Sequence, residues 1–117
     1  MRLVNTGFGY AGTADMLAHH KDHGLVLIDI KTQGIKSGKK PEPYKSWLYQ
    51  LAAYLGCLDY YEADARLMNL IINSTHPSEP IEHLWSGEEA RQGWKAFSCA
   101  NEIWKIQRDY DPKEVKI

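Results

Sequence analysis

The chain has 117 residues, 44% of them hydrophobic, 11% aromatic and 25% charged, which are the proportions of a globular domain and exclude a disordered segment. The length predicts one domain over 1–117. No apolar run approaches the length of a membrane span, and residues 1–5 lack the apolar core of a secretory leader, so a cytoplasmic setting with no membrane partner is expected. A formal net charge of −1 excludes a surface that is basic throughout; any basic patch must be local, and Lys36, Lys39, Lys40 and Lys45 are the candidates.

In chain order, a short strand is expected near 2–5, followed by a stretch loosened by Gly7, Gly9 and Gly12. Residues 10–19 suit a strand, with Thr13, Asp15 and Leu17 on one face and Ala14, Met16 and Ala18 on the other. Lys21-Asp22-His23-Gly24 has turn chemistry, and 25–32 is a strong strand, so the two strands form an antiparallel hairpin. One face of the second strand, Val26, Ile28 and Ile30, is purely apolar. The other, Leu25, Leu27, Asp29 and Lys31, begins apolar and ends charged. Residues 33–43, rich in Gly, Lys and Pro, read as a loop.

Trp47, Leu48, Leu51, Leu55 and Leu58 recur at steps of three and four, which predicts a helix over 44–61 entered through Pro43. Strands are expected over 65–74 and 81–85. A capping box, Ser86 with Glu89, then opens a helix to about 108 with Ala90, Trp94, Phe97 and Trp104 inward. The order β-β-β-α-β-β-α predicts an α/β fold with a central mixed sheet flanked by helices. Cys57 and Cys99 have no CxxC partner and are expected as reduced core thiols. His19, His20 and His23 lack a carboxylate or Cys partner at zinc spacing and are expected in a solvated turn. Four Trp and the apolar helix faces on so short a chain predict an uncovered patch and a homo-oligomer.

Three segments carry the chemistry: Gly12-Thr13-Ala14-Asp15, Asp29-Ile30-Lys31-Thr32, and Gln50-Leu51-Ala52-Ala53-Tyr54. Residues two apart in a strand share a face, so Asp29 and Lys31 point into one space. A carboxylate there suits a hard cation such as Mg²⁺, which prefers oxygen ligands. An ammonium beside it can stabilise charge developing on a phosphate. Asp15 on the neighbouring strand would be a second carboxylate, and two close carboxylates repel each other without a cation. Gln50 and Tyr54, four apart in a helix, also share a face.

The series GTAD, DIKT and QLAAY resembles the motifs of the RecB-like and phage-exonuclease branch of the PD-(D/E)xK nuclease superfamily over residues 12–54. The resemblance implies a restriction-endonuclease-like core and a Mg²⁺- or Mn²⁺-dependent deoxyribonuclease of exonuclease type, acting on DNA in a bacterial or phage-infected cell. It implies Asp15 and Asp29 as metal ligands with the carbonyl of Ile30, Lys31 as a catalytic residue with the two Asp, and Gln50 and Tyr54 as DNA-positioning residues. Ala14 stands where the superfamily's name has Pro. Relatives carry an upstream helix with a Glu and often a His; here the fourteen residues before Asp15 hold no Asp, Glu or His. The four cysteines of an iron–sulfur cluster found in some relatives are also absent. The chain therefore reads as a member lacking the usual N-terminal helix, or as a DNA-binding or assembly module whose site a partner chain completes.

Overall fold

Gly24–Gln33, with the β-branched Val26, Ile28, Ile30 and Thr32 on one face, makes the longest described strand and the axis of the fold. The structure, a computed structural model, describes residues 2–5, 9–58, 64–76 and 78–108. Within these, the strands are β1 (Arg2–Asn5), β2 (Tyr10–Thr13), β3 (Met16–His20), β4 (Gly24–Gln33), β5 (Arg66–Asn73) and β6 (Ile81–Leu84), and the helices are α1 (Lys45–Leu55) and α2 (Gly87–Arg108). A four-stranded sheet has the order β3-β4-β5-β6. β3 and β4 form an antiparallel hairpin with Leu17 opposite Leu27. Gly24 closes its turn at φ 72°, in the left-handed region that a residue without Cβ enters freely. β4 and β5 are parallel, with Leu27 opposite Leu67, Asp29 opposite Asn69 and Lys31 opposite Ile71. The protein is thus α/β, with a mixed sheet and two flanking helices.

A parallel pair needs a crossover, and α1 supplies it. Leu48, Leu51 and Ala52 of α1 pack with Leu27 and Leu67 in the core. Leu27, Leu51 and Ile71 are fully buried, each stabilising the fold by roughly 1.5–3 kcal/mol relative to exposure. α2 lies outside α1. At Gly93 an added Cβ would stand 3.0 Å from Leu48 Cγ, so this glycine sets how closely the helices approach. The layers are sheet, α1 and α2, and the charged end of β4 faces the α1 layer.

Several expectations are corrected. The strand expected over 10–19 is two strands, because the chain breaks at Ala14 and Asp15. β2 turns away to pair with β1 in a separate two-stranded sheet, with Leu3 opposite Gly12, while β3 stays with β4. Buried Ala14 fills the corner. The helix expected to 61 ends at Leu55, with Gly56 as its C-cap; Leu58 lies past it, and 59–63 lie outside the described residues.

Trp104 is 42% exposed and Lys105, its neighbour, is buried. α2 has 22 residues and α1 has 11, about 33 Å against 16 Å, so the end of α2 outruns the helix it packs on and the inward pattern is lost there. Cys99, on α2, is exposed rather than in the core, whereas Cys57 is half-buried and packs against the core; both are free. His20 is engaged: its Nε2 lies 3.0 Å from Glu82 Oε1. Those residues sit on the two edge strands, which three flat spacings would hold ~14 Å apart, so the sheet is strongly coiled.

α2 opens as expected on its capping box. Glu89 N–H donates to Ser86 Oγ at 3.0 Å, and Ser86 N–H donates to Glu89 Oε1 at 2.9 Å. Glu88 and Glu89 at this end and Lys105 and Arg108 at the other oppose the helix dipole. Ser86→Ala is expected to lower unfolding stability by about 1 kcal/mol, read from urea denaturation midpoints at unchanged slope; an unchanged midpoint would show that the box contributes nothing.

Candidate active site

Period two along β4 puts Leu27, Asp29, Lys31 and Gln33 on the face toward α1. Helix spacing brings Gln50 and Tyr54 down onto the same space. Lys31 Nζ donates to Gln50 Oε1 at 2.7 Å, and Gln50 Nε2 donates to Tyr54 Oη at 2.7 Å. Lys31 Nζ also lies 2.9 Å from Asp29 Oδ2. Asp29, Lys31, Gln50 and Tyr54 thus form one polar chain from the sheet into the helix layer.

The break between β2 and β3 brings Asp15 into this cluster. Asp15 Oδ2 accepts the backbone N–H of Ile30 at 2.6 Å, so a side chain takes over where the β3–β4 ladder stops. The carboxylates of Asp15 and Asp29 lie within hydrogen-bonding reach of each other. The Ile30 amide, with a smaller contribution from Asp29, holds the Asp15 carboxyl below the usual carboxylate range. Burial pushes Asp29 up, the nearby Asp15 charge adds to this, and Lys31 opposes it. Asp29 is only 6% exposed, whereas Asp15 is open to solvent. Tyr54 is likewise pushed up, first by burial and then by Asp29. Of the residues singled out in the sequence, Asp15, Asp29, Lys31, Gln50 and Tyr54 all meet here. Ile30 is present through its amide, with its side chain 39% exposed on the opposite face.

Other residues support this cluster without having stood out in the sequence. Asn69, fully buried beside Asp29, donates to the Asp29 carbonyl at 3.2 Å and accepts from Trp85 Nε1 at 2.8 Å. A lone Asn inside the apolar run Leu67-Met68-Asn69-Leu70-Ile71 was the available signal, since a buried amide needs partners. Gly12, read in the sequence only as loosening the chain and as the start of the GTAD segment, has a packing role here. A Cβ there would stand 2.5 Å from Tyr54 Cε1, so only glycine lets the ring lie across β2. Asn5 and Tyr10 tie that hairpin to the end of α1. Asn5 Nδ2 donates to the Gly56 carbonyl at 2.8 Å, and Tyr10 Oη donates to the Ala53 carbonyl at 2.7 Å.

The donor set suits a hard divalent cation. It is all oxygen, and it places two carboxylates side by side, one of them nearly buried. Among the described residues no group of three or more His, Cys, Asp or Glu side chains converges there. Neither a family model nor a curated protein matches the chain.

The raised Asp29 carboxyl has a consequence for stability. Folding favours its protonated form, so the ionised form opposes folding. That penalty is absent below the ordinary carboxylate pKa, ~3.9, and grows as pH rises through the higher folded value. Asp29→Asn is expected to raise the melting temperature by a few degrees at neutral pH in chelator, with the gain vanishing toward acid. A variant less stable than wild type under neutral, chelated conditions would contradict the strained carboxylate pair.

Proposed function

We propose that the chain is a metal-dependent deoxyribonuclease of the PD-(D/E)xK type, with a restriction-endonuclease-like core and exonuclease-type activity on DNA. The observation that carries this reading is the meeting of Asp15, Asp29 and Lys31 at one end of β4, with Gln50 and Tyr54 aligned on the lysine. A carboxylate pair beside a cation on a rigid strand is what metal-assisted phosphodiester hydrolysis requires.

Asp15 and Asp29 would hold Mg²⁺ or Mn²⁺, with the Ile30 carbonyl as a further donor. When bound, the ion supplies Lewis-acid charge and lowers the pKa of its water. The chain's own residues do the rest. Ile30's amide fixes the rotamer of Asp15, and Asn69 anchors the backbone of Asp29. Gln50 holds the Lys31 ammonium beside the carboxylate pair, where it can stabilise the charge that develops on the phosphate as water attacks. Lys31, which can only donate, takes Gln50 Oε1, and this leaves Nε2 to donate to the Tyr54 hydroxyl, which holds the amide in place. The α1 layer covers the buried side of the site and lowers the local dielectric, which strengthens each of these interactions.

End-labelled linear DNA is expected to be degraded in Mg²⁺ or Mn²⁺ and untouched in EDTA, with closed circular DNA resisting if the activity needs an end. Ca²⁺ is expected to bind but support little turnover, because its looser coordination positions water poorly. Lys31→Ala is expected to cut the rate by about 10²–10³-fold, the scale of losing one charge-stabilising donor, with an unchanged circular dichroism spectrum. Cleavage that persists in chelator, or a Lys31→Ala protein that cuts at the wild-type rate, would reject the assignment.

A further inference from the structure

Beyond Lys31 the charged face of β4 continues into Gln33 and then into the lysine-rich segment 34–44. This segment is not a free solvated run. Gln33 Nε2 donates to the Glu42 carbonyl at 2.8 Å, and the Glu42 amide donates back to Gln33 Oε1 at 2.9 Å, so one side chain closes the loop at both of its polar atoms. Asn73, opposite Gln33 on β5, clamps the base. Its Oδ1 accepts from the Ile35 amide at 3.2 Å, its Nδ2 donates to the Ile35 carbonyl at 3.3 Å, and Ile35 is buried. The tip is a tight turn in which Lys39 N–H donates to the Lys36 carbonyl at 3.0 Å and Gly38 sits at φ 78°.

This closed loop surrounds an open cavity of about 600 Å³ lined by Gln33, Lys36, Lys39, Lys40, Glu42 and Tyr44. The three lysines are exposed, and among the described residues none of them forms an ion pair. Residues 33–45 hold four Lys and one acidic residue, Glu42, in a chain of net charge −1. Positive charge is therefore concentrated in one preorganised place while the rest of the chain is acidic. Tyr44, 50% exposed, sits at the rim with its ring edge-on to Trp47, the centroids 5.1 Å apart. Ammonium groups beside an exposed aromatic ring are the chemistry that holds single-stranded nucleic acid, the charges on phosphates and the ring on a base. The position agrees: Gln33 follows Lys31 on the same face by one strand repeat, ~6–7 Å, which is about the spacing of successive phosphates in an extended strand.

We propose that loop 33–44 is a phosphodiester-backbone subsite, in which Lys36, Lys39 and Lys40 hold the DNA strand next to the bond cut at Asp29 and Lys31 and Tyr44 stacks on one of its bases. This rests on the nuclease reading and adds where the strand runs. Rigid closure lets the three charges act together, since little loop entropy is lost on binding.

The test is fluorescence anisotropy with labelled oligothymidylate in Ca²⁺ buffer over a salt series, alongside Mg²⁺-dependent cleavage by the same proteins. For Lys36→Gln/Lys39→Gln/Lys40→Gln the affinity at about 0.1 M salt is expected to fall by about tenfold or more. The slope of log K against log salt should flatten by about 2 to 3, roughly one for each phosphate that a lysine no longer neutralises. The triple Lys→Arg protein should keep both, because charge rather than shape is responsible. Equal affinity and slope for the Gln triple and wild type, or no oligothymidylate binding by wild type at all, would overturn the subsite. Undiminished cleavage beside equal affinity would overturn it while leaving the nuclease reading intact. Loop-dependent binding without cleavage by wild type would support the subsite and remove the nuclease. Displacement by polyglutamate as effective as by unlabelled oligothymidylate would assign the loop to acidic protein and overturn the proposal.

Discussion

β4 and β5 run parallel, so the chain between them must return from one end of the sheet to the other, and a helix over one face is the compact way to do it. Much of what surrounds the site follows from that crossover. α1 lands on the face that carries Leu27, Asp29 and Lys31, buries Leu48 and Leu51 against Leu27 and Leu67, and carries Gln50 and Tyr54 down to the charged end of β4. The same face is thus a hydrophobic core at one end and a polar cluster at the other. A register slip of one residue would send Asp29 and Lys31 to the opposite face and leave the Gln50 amide without its ammonium.

The polar end opposes folding. A nearly buried carboxylate beside a second carboxylate is unfavourable, and the lysine offsets this only in part, which is why Asp29 is pushed upward while Asp15, open to solvent and bonded to an amide, is held low. Two buried neighbours limit the damage. Asn69 and Trp85 satisfy each other and the Asp29 backbone, so strain is confined to the carboxylates themselves. Such local conflict inside an otherwise apolar core is what motivates the proposed metal site. A cation would relieve it, coupling ligand binding to stability through the same two oxygens.

The break at Ala14 and Asp15 shows how a small departure from regular structure builds a site. A continuous strand over 10–19 would have left Asp15 as one more ladder residue. By turning at Ala14 the chain frees the Asp15 side chain to take the Ile30 amide and sends β2 to pair with β1, where Gly12 gives the Tyr54 ring its seat. One bend therefore positions a carboxylate and, through Tyr54 and Gln50, a lysine.

Local periodicity made the strand of Asp29 and Lys31, the helix face of Gln50 and Tyr54, the β3–β4 hairpin and the capping box of α2 legible, because each depends on residues only a few positions apart. Periodicity could not reveal what depends on distant partners. Trp94 and Tyr10 pack so closely on Gly56, the C-cap of α1, that no side chain fits there, and Trp104 is exposed through the unequal lengths of the two helices. The same is true of the Asp29 environment, which needs Asn69 forty residues on. The loop 33–44 is the clearest division between the two. The sequence by itself determined its composition, three lysines among glycines and prolines, which alone describes a solvated run. Only the tertiary structure decided that Gln33 and Asn73 close it beside Lys31, because hydrogen bonds between residues far apart in the chain exist only after β4 and β5 have paired.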